Sequence, residues 1–209
     1  MTSAPRCEVL LFDLGGVIVQ LSGLPRWAAW TGDRLSEEEI WERWLCSPAV
    51  RTFESGRCTA EDFASRMVAE FELPIGPEEF LTAFSDWPTG TYSGALELLQ
   101  QLRAGPHQLA CFSNTNAVHW PRFLEEMELR HHFDEHFASH ELGMLKPDVE
   151  AFLEVARRLG CAPEAILFLD DNRLNVEGAR RAGLRAERVS GVGGARDCLR
   201  LLGFFGEEG

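Results

Sequence analysis

The sequence predicts an α/β fold: a parallel sheet covered by helices on both faces, with a helical insertion directly after its first strand. Three observations carry the prediction. Three runs of strand length, Val9 to Phe12, Gln108 to Phe112 and Ala165 to Leu169, each end in small or polar residues and each precede a helical pattern. The runs are continuously apolar rather than alternating, as strands buried on both faces must be. Between Leu21 and Thr91 the character changes, with no convincing strand and at least three segments of helical period.

In chain order, "VLLF" ends at Asp13, ahead of Gly15 and Gly16. The insertion then reads as the helices "SEEEIWERWL", "TAEDFASRMVAEF" and "GPEEFLTAFSDW", and Ser36 with Glu39 and Thr59 with Asp62 resemble capping boxes at their starts. Trp27, Trp30, Trp41 and Trp44 recur at helical spacing and form the expected core of this insertion, with one of the early pair turned to a ligand. Helices follow at "SGALELLQQLRAG", "AVHWPRFLEEMEL", "PDVEAFLEVARRLG" and "NVEGARRAGL", several closed by glycine, with later strands at "HFASH" and "RAERVS". The expected division is residues 1–20 with 91–209 as the sheet domain and 21–90 as the insertion. Interrupting the chain after the first strand sets the insertion over the carboxyl edge of the sheet, where open α/β folds hold ligands.

A chain of 209 residues buries roughly 70% of its unfolded surface and needs no staple. Apolar residues make up 45% and charged residues 25%, an ordinary globular composition, and a net charge of −13 opposes nucleic acid and anionic membrane surfaces. Six scattered cysteines, without a C-x-x-C pair, fit reduced thiols in a cytoplasmic protein. The leader Met1 to Arg6 is short and polar, and the apolar run behind it is broken by Asp13, so neither a signal peptide nor a membrane span is expected. Nothing predicts a protein partner.

Parallel strands bring their carboxyl ends to one edge. That edge gathers Asp13, then Ser113 and Asn114, then Asp170 and Asp171, with Lys146 arriving from the loop "GMLKPD". Three carboxylates in one place are costly without a bound cation, and a hard divalent ion with oxygen ligands, Mg²⁺, removes the repulsion. Asn175 is a candidate for outer support of that ion and Glu177 a first-turn polar residue. In "HHFDEHF", His132 and His136 would share a helix face with His131 nearby, but no further ligand is placed to complete a metal site, so surface histidines are expected.

"FDLGGVIV", "FSNTN", "LKPD" and "FLDDNRLNVEGA", in this order, resemble the four motifs of the haloacid dehalogenase-like (HAD) hydrolase superfamily. The resemblance spans nearly the whole chain and implies a Rossmann-like sheet with the insertion as a small α-helical cap. The glycine at the third motif position, with S-N-T-N, L-G-M-x-K-P and D-D-N-x-x-N-x-E-G-A, is similar to a bacterial branch that includes α-D-glucose-1-phosphate phosphatase. Carried over, it implies a Mg²⁺-dependent phosphatase acting on a small phosphorylated metabolite, with Asp13 taking the phosphoryl group. Ser113 and the Asn114 backbone would hold the phosphoryl oxygens, Lys146 would neutralise nucleophile and phosphate, and Asp171 with Asp170, Asp13 and the Gly15 carbonyl would hold Mg²⁺.

In most family phosphatases the position of Gly15 carries an aspartate that protonates the leaving oxygen and later activates water. Gly15 does neither, and general acid–base help is worth about 10²–10⁴-fold, so poor leaving groups should react slowly unless another group substitutes. Two other functions compete. A haloacid dehalogenase would use Asp13 to displace halide but needs no metal, against the Asp170–Asp171 pair. A catalytically impaired relative that binds a phosphometabolite or a protein partner rests on Gly15 alone.

Overall fold

The structure is a computed structural model and describes residues 8–32 and 36–205; the leader and Cys7 lie outside the described residues. Strand β1 (Val9–Phe12) leads through a tight turn to β2 (Val19–Leu21), and then come α1 (Gly23–Thr31), α2 (Glu37–Cys46), α3 (Pro48–Glu54), α4 (Ala60–Glu70) and α5 (Pro77–Ser85). The chain returns through β3 (Pro88–Thr91), α6 (Ala95–Arg103) and β4 (Gln108–Ser113). It finishes with β5 (Glu135–Ala138), α7 (Ser139–Leu142), α8 (Val149–Leu159), β6 (Ile166–Asp170), α9 (Arg173–Arg181), β7 (Arg185–Arg188) and α10 (Gly191–Leu201).

Five strands form one sheet in the order β5-β4-β1-β6-β7, and every pairing is parallel. The period of two assigns the side chains to faces. Leu10, Phe12, Leu109, Cys111, Leu167 and Leu169 enter one buried cluster with α6 and α10. Val9, Leu11, Ala110, Phe112, Ile166 and Phe168 enter the other with α8 and α9. Both faces are therefore dry, which is why these strands read as unbroken apolar runs.

Helices α1 to α5 pack around a third cluster of their own, built on Trp27, Trp44, Val50, Phe53, Phe63, Phe80, Phe84 and Trp87. Ser36 completes a capping box with Glu39, whereas Thr59 accepts from the Asp62 N–H without the reciprocal bond. None of the helices described is long and apolar enough to cross a membrane.

Two expectations fail locally. The stretch from Leu21 to Thr91, expected to hold no strand, ends in one: residues 88–91 pair with 19–21 as an antiparallel ribbon at the root of the helical insertion. One strand is only three residues long, and "PTGT" in the other carries no apolar run, its Pro and Gly reading as turn. The helix expected over 117–129 is shorter: after a turn at 117–119 the chain is helical over 120–126, with Arg122–Glu126 π-helical. Asn116 Oδ1 accepts from the N–H groups of Val118 and His119, Pro121 supplies no N–H, and Glu128, at φ 57°, ends the segment. Consequently His131 closes a short 3₁₀ turn while His136 lies on β5, half-buried against the Leu129 carbonyl, and His132 and His136 share no helix face.

Candidate functional site

Strands β4, β1 and β6 lie side by side, and the pairings Phe12↔Cys111 and Phe12↔Leu169 bring their carboxyl ends level. Asp13 and Asp170 follow one residue later, on the face that carries Val9, Leu11, Ile166 and Phe168. Lys146 reaches them from that side. Its Nζ is 2.8 Å from Asp13 Oδ1 and 2.7 Å from Asp170 Oδ2, over the rings of Phe112 and Phe168 at 5.5 and 5.2 Å. The ammonium is 1% exposed, so two carboxylates and two aromatic faces replace its water. Burial alone would lower its pKa, but Asp13 and Asp170 outweigh burial and raise it, so the lysine stays charged.

Each member is held by its neighbours. Asn114 clamps the Lys146 backbone at both ends: its Nδ2 donates to the Lys146 carbonyl and its Oδ1 accepts from the Lys146 N–H, both at 2.9 Å. Asp13 Oδ1 accepts from the Leu14 N–H at 2.7 Å, which fixes the carboxylate plane. Asp170, fully buried, accepts from the Asn172 N–H and from Asn175 Nδ2, so its oxygens are occupied before any ligand arrives. Glu177 instead pairs with Arg173 on the surface.

Asp171, one residue further, turns into the cavity and lies against Gly16. Gly16 has φ +74°, and a Cβ there would overlap Asp171 Oδ2, so this glycine is demanded twice over. Gly15 is not: its Cβ would meet only the flexible Leu21 side chain, at 3.0 Å. Packing therefore does not forbid a larger residue at 15.

Oxygens of Asp13, Asp170 and Asp171 lie within 4.8 Å of one another. Lys146 supplies one positive charge against three carboxylates. Burial, which outweighs Lys146, pushes Asp13 well above the usual carboxylate range, and burial with the Asp170 charge pushes Asp171 up to about 7. Asn175 Oδ1 is also buried with no hydrogen-bond partner among the described residues. An all-oxygen donor set short of positive charge fits a hard divalent cation such as Mg²⁺.

The cavity above this edge has a volume of about 210 Å³ and takes in Asp13, Gly15, Ser113, Asn114, Lys146 and Asp171. Its roof is Trp41, Trp44, Phe84, Trp87 and Glu54 from the helical insertion. The early pair Trp27 and Trp30, expected to offer a surface to a ligand, are turned into the insertion's own core instead, where Trp27 packs edge-on to Trp44 and Phe71. The later pair faces the site. His119 also lines the wall: its Nε2–H donates to the Phe84 carbonyl at 2.7 Å, and burial pushes it down to about 4, so it is neutral.

Sequence reasoning missed Glu54, Trp87, Thr115, Asn116 and His119. For Glu54 a signal existed, because it follows Val50 by four positions and so puts an acid on the apolar stripe of α3. Thr115 and Asn116 lie within "FSNTN" and His119 three residues beyond it, and none of the three carried a further signal.

Strand-end acids, a buried lysine and a roofed cavity thus meet at the carboxyl edge of an α/β sheet. The model of the haloacid dehalogenase-like hydrolases matches residues 7–183, and the chain belongs to that family. Among curated relatives, a glyceraldehyde 3-phosphate phosphatase of Methanopyrus kandleri is 29% identical over 74% of this chain and 67% of its own length. A phosphatase of Mycobacterium tuberculosis is 29% identical over 80% of this chain and 78% of its own. A HAD family enzyme of Bacteroides thetaiotaomicron, solved in complex with magnesium and inorganic phosphate, shares the fold with a TM-score of 0.69 at 23% identity, over 88% of this chain and 94% of that one.

Proposed function

We propose that this chain is a Mg²⁺-dependent phosphatase that hydrolyses a small phosphorylated metabolite through an aspartyl-phosphate at Asp13. The observation that carries the reading is Lys146, buried and bridging Asp13 and Asp170 at the floor of the cavity, with Asp171 beside them. A nucleophilic carboxylate needs an approaching dianion to be neutralised, and a fixed ammonium at 2.8 Å does this without reorganising. Ser113, through its hydroxyl, and the Asn114 N–H hold phosphoryl oxygens in line with Asp13. Asp13, Asp171 and the Gly15 carbonyl, with Asp170 behind them, would hold the metal. Bound there, Mg²⁺ would offset the carboxylate charge and polarise a phosphoryl oxygen.

Residues 21–90 act as the cap over a core of 1–20 and 91–209. A cavity of about 210 Å³ with an indole-rich roof suits a small ester whose organic part lies against aromatic faces, as a sugar does. The finer likeness to the glucose-1-phosphate branch rests on the motif residues alone. Cytoplasmic location agrees with the cysteine usage.

Hydrolysis of p-nitrophenyl phosphate with Mg²⁺ or with EDTA tests this directly, followed by a screen of phosphorylated metabolites. Mg²⁺-dependent phosphate release that disappears in Asp13→Asn is the expected result. Chloride release from 2-chloropropionate without metal would support the dehalogenase reading instead.

A further inference from the structure

Gly15 leaves the proton-transfer position of the first motif without a carboxyl, and the cap brings one to the cavity from the opposite side. Glu54 ends α3, is 6% exposed, and lines the same cavity as Asp13, Gly15 and Lys146. Trp44 Nε1–H donates to its Oε1 at 3.3 Å, while Oε2 is buried without a hydrogen-bond partner among the described residues. A buried carboxyl oxygen lacking a donor is costly to maintain and marks a place where a ligand completes the bonding.

The placement is built rather than loose. Just beyond Glu54, Gly56 adopts φ +71° and lets the end of α3 press on the His140 carbonyl, which a Cβ would overlap. Arg51 Nη2 lies 2.6 Å from Asp148 Oδ2 and Arg57 Nη2 donates to the Gly143 carbonyl at 3.3 Å, so both sides of Glu54 are tied to the core.

Resting on the phosphatase reading above, we propose that Glu54 is the general acid and base of the reaction, the part Gly15 does not play. As Asp13 forms its bond to phosphorus, the bond from phosphorus to the leaving oxygen breaks with its electron pair, and Glu54 Oε2–H gives its proton to that oxygen, releasing the alcohol. The resulting Glu54 carboxylate takes a proton from water as the water oxygen attacks the phosphorus of the aspartyl-phosphate. The phosphorus–Asp13 bond breaks, Asp13 returns as carboxylate, inorganic phosphate leaves and Glu54 is protonated again.

The titration suits both halves. Burial pushes Glu54 up to about 7, against the Trp44 hydrogen bond and the Lys146 and Arg51 charges, which pull it down. Asp13, Tyr92, His119 and Asp171 share the cavity. His119 is not the acid, since its Nε2–H is committed to Phe84 and it carries no second proton near neutral pH.

The test is a series of phosphate monoesters of rising leaving-group pKa, run on wild type and Glu54→Gln with Mg²⁺. Wild type should show a shallow dependence. In Glu54→Gln the dependence should steepen, with kcat on alkyl phosphates falling about 10²–10⁴-fold while the most acidic phenol ester changes only a few-fold. An equal loss across the series, or a rise in KM with kcat unchanged, would overturn the proposal and leave Glu54 a binding or packing residue. A second arm needs no variant: the wild-type dependence should steepen as pH rises through about 7 and Glu54 loses its proton. An unchanged slope from pH 6 to 8.5 would overturn it. Absence of any Mg²⁺-dependent ester hydrolysis by wild type would remove the phosphatase reading itself, and the inference with it.

Discussion

Replacing Lys146 with Met keeps the length of the side chain and deletes its charge, which exposes the energetics of the site floor. The ammonium is 1% exposed and serves Asp13 at 2.8 Å and Asp170 at 2.7 Å. Asp170 is itself fully buried, so after the substitution its carboxylate keeps, among the described residues, the Asn172 N–H and Asn175 Nδ2 as donors. Removing one partner of a buried pair costs about 3–5 kcal/mol, whereas an exposed pair is worth about 0–1. For a chain of this size that is a fall in Tm of about 6–20 °C, read by circular dichroism in EDTA so that no metal compensates. Asp170→Asn in the same background should recover part of the loss, with a coupling of at least about 1 kcal/mol. Acidification should shrink the loss as well, because Asp13, already raised by burial, takes up a proton and stops needing a counter-charge. A loss under about 1 kcal/mol at pH 7, or a double variant whose loss is the plain sum of the singles, would refute the reasoning.

Two further substitutions probe the walls. Glu54, raised from an ordinary 4.5 to about 7, contributes stability that is full below 4.5 and is lost as pH rises through about 7. Glu54→Gln has nothing to lose, so its stability relative to wild type should rise by about 2.5 kcal/mol between pH 5 and pH 8 in paired urea melts; a pH-independent difference contradicts the burial argument. Gly16→Ala should displace Asp171 and raise the Mg²⁺ concentration for half-maximal activity by about 10–100-fold. Gly160→Ala, at φ +70° with nothing within 4 Å of its Cβ, carries the same backbone strain away from the site and should leave that concentration unchanged.

The sheet was legible because burial on both faces writes itself as continuous apolar residues, and β1, β4 and β6 all sit where such runs end in polar ones. Their parallel pairing then fixed the site floor, since Asp13, Lys146, Asp170 and Asp171 follow from strand ends and one loop. What escaped was whatever depends on partners distant in sequence. The β2–β3 ribbon joins segments about 70 residues apart, and "PTGT" has no apolar pattern of its own. The segment 117–129 has helical period, but the Asn116 cap and Pro121 decide its backbone. Trp41 and Trp44 share helical spacing with Trp27 and Trp30, and spacing alone does not say which pair looks down on the core. Asn114 was expected to serve through its backbone, while its side chain also fastens Lys146 across 32 residues.

The claim on which everything else depends is that Asp13 accepts the phosphoryl group. Rapid acid quench of the enzyme turning over a phosphate monoester with Mg²⁺, followed by borohydride reduction and peptide mass spectrometry, reads this out, because an acyl phosphate is reduced to the alcohol and a free carboxylate is not. The account predicts homoserine at position 13, dependent on substrate and Mg²⁺. Full turnover with Asp13 recovered unmodified, and with Asp13→Asn retaining more than a small fraction of the rate, would contradict it.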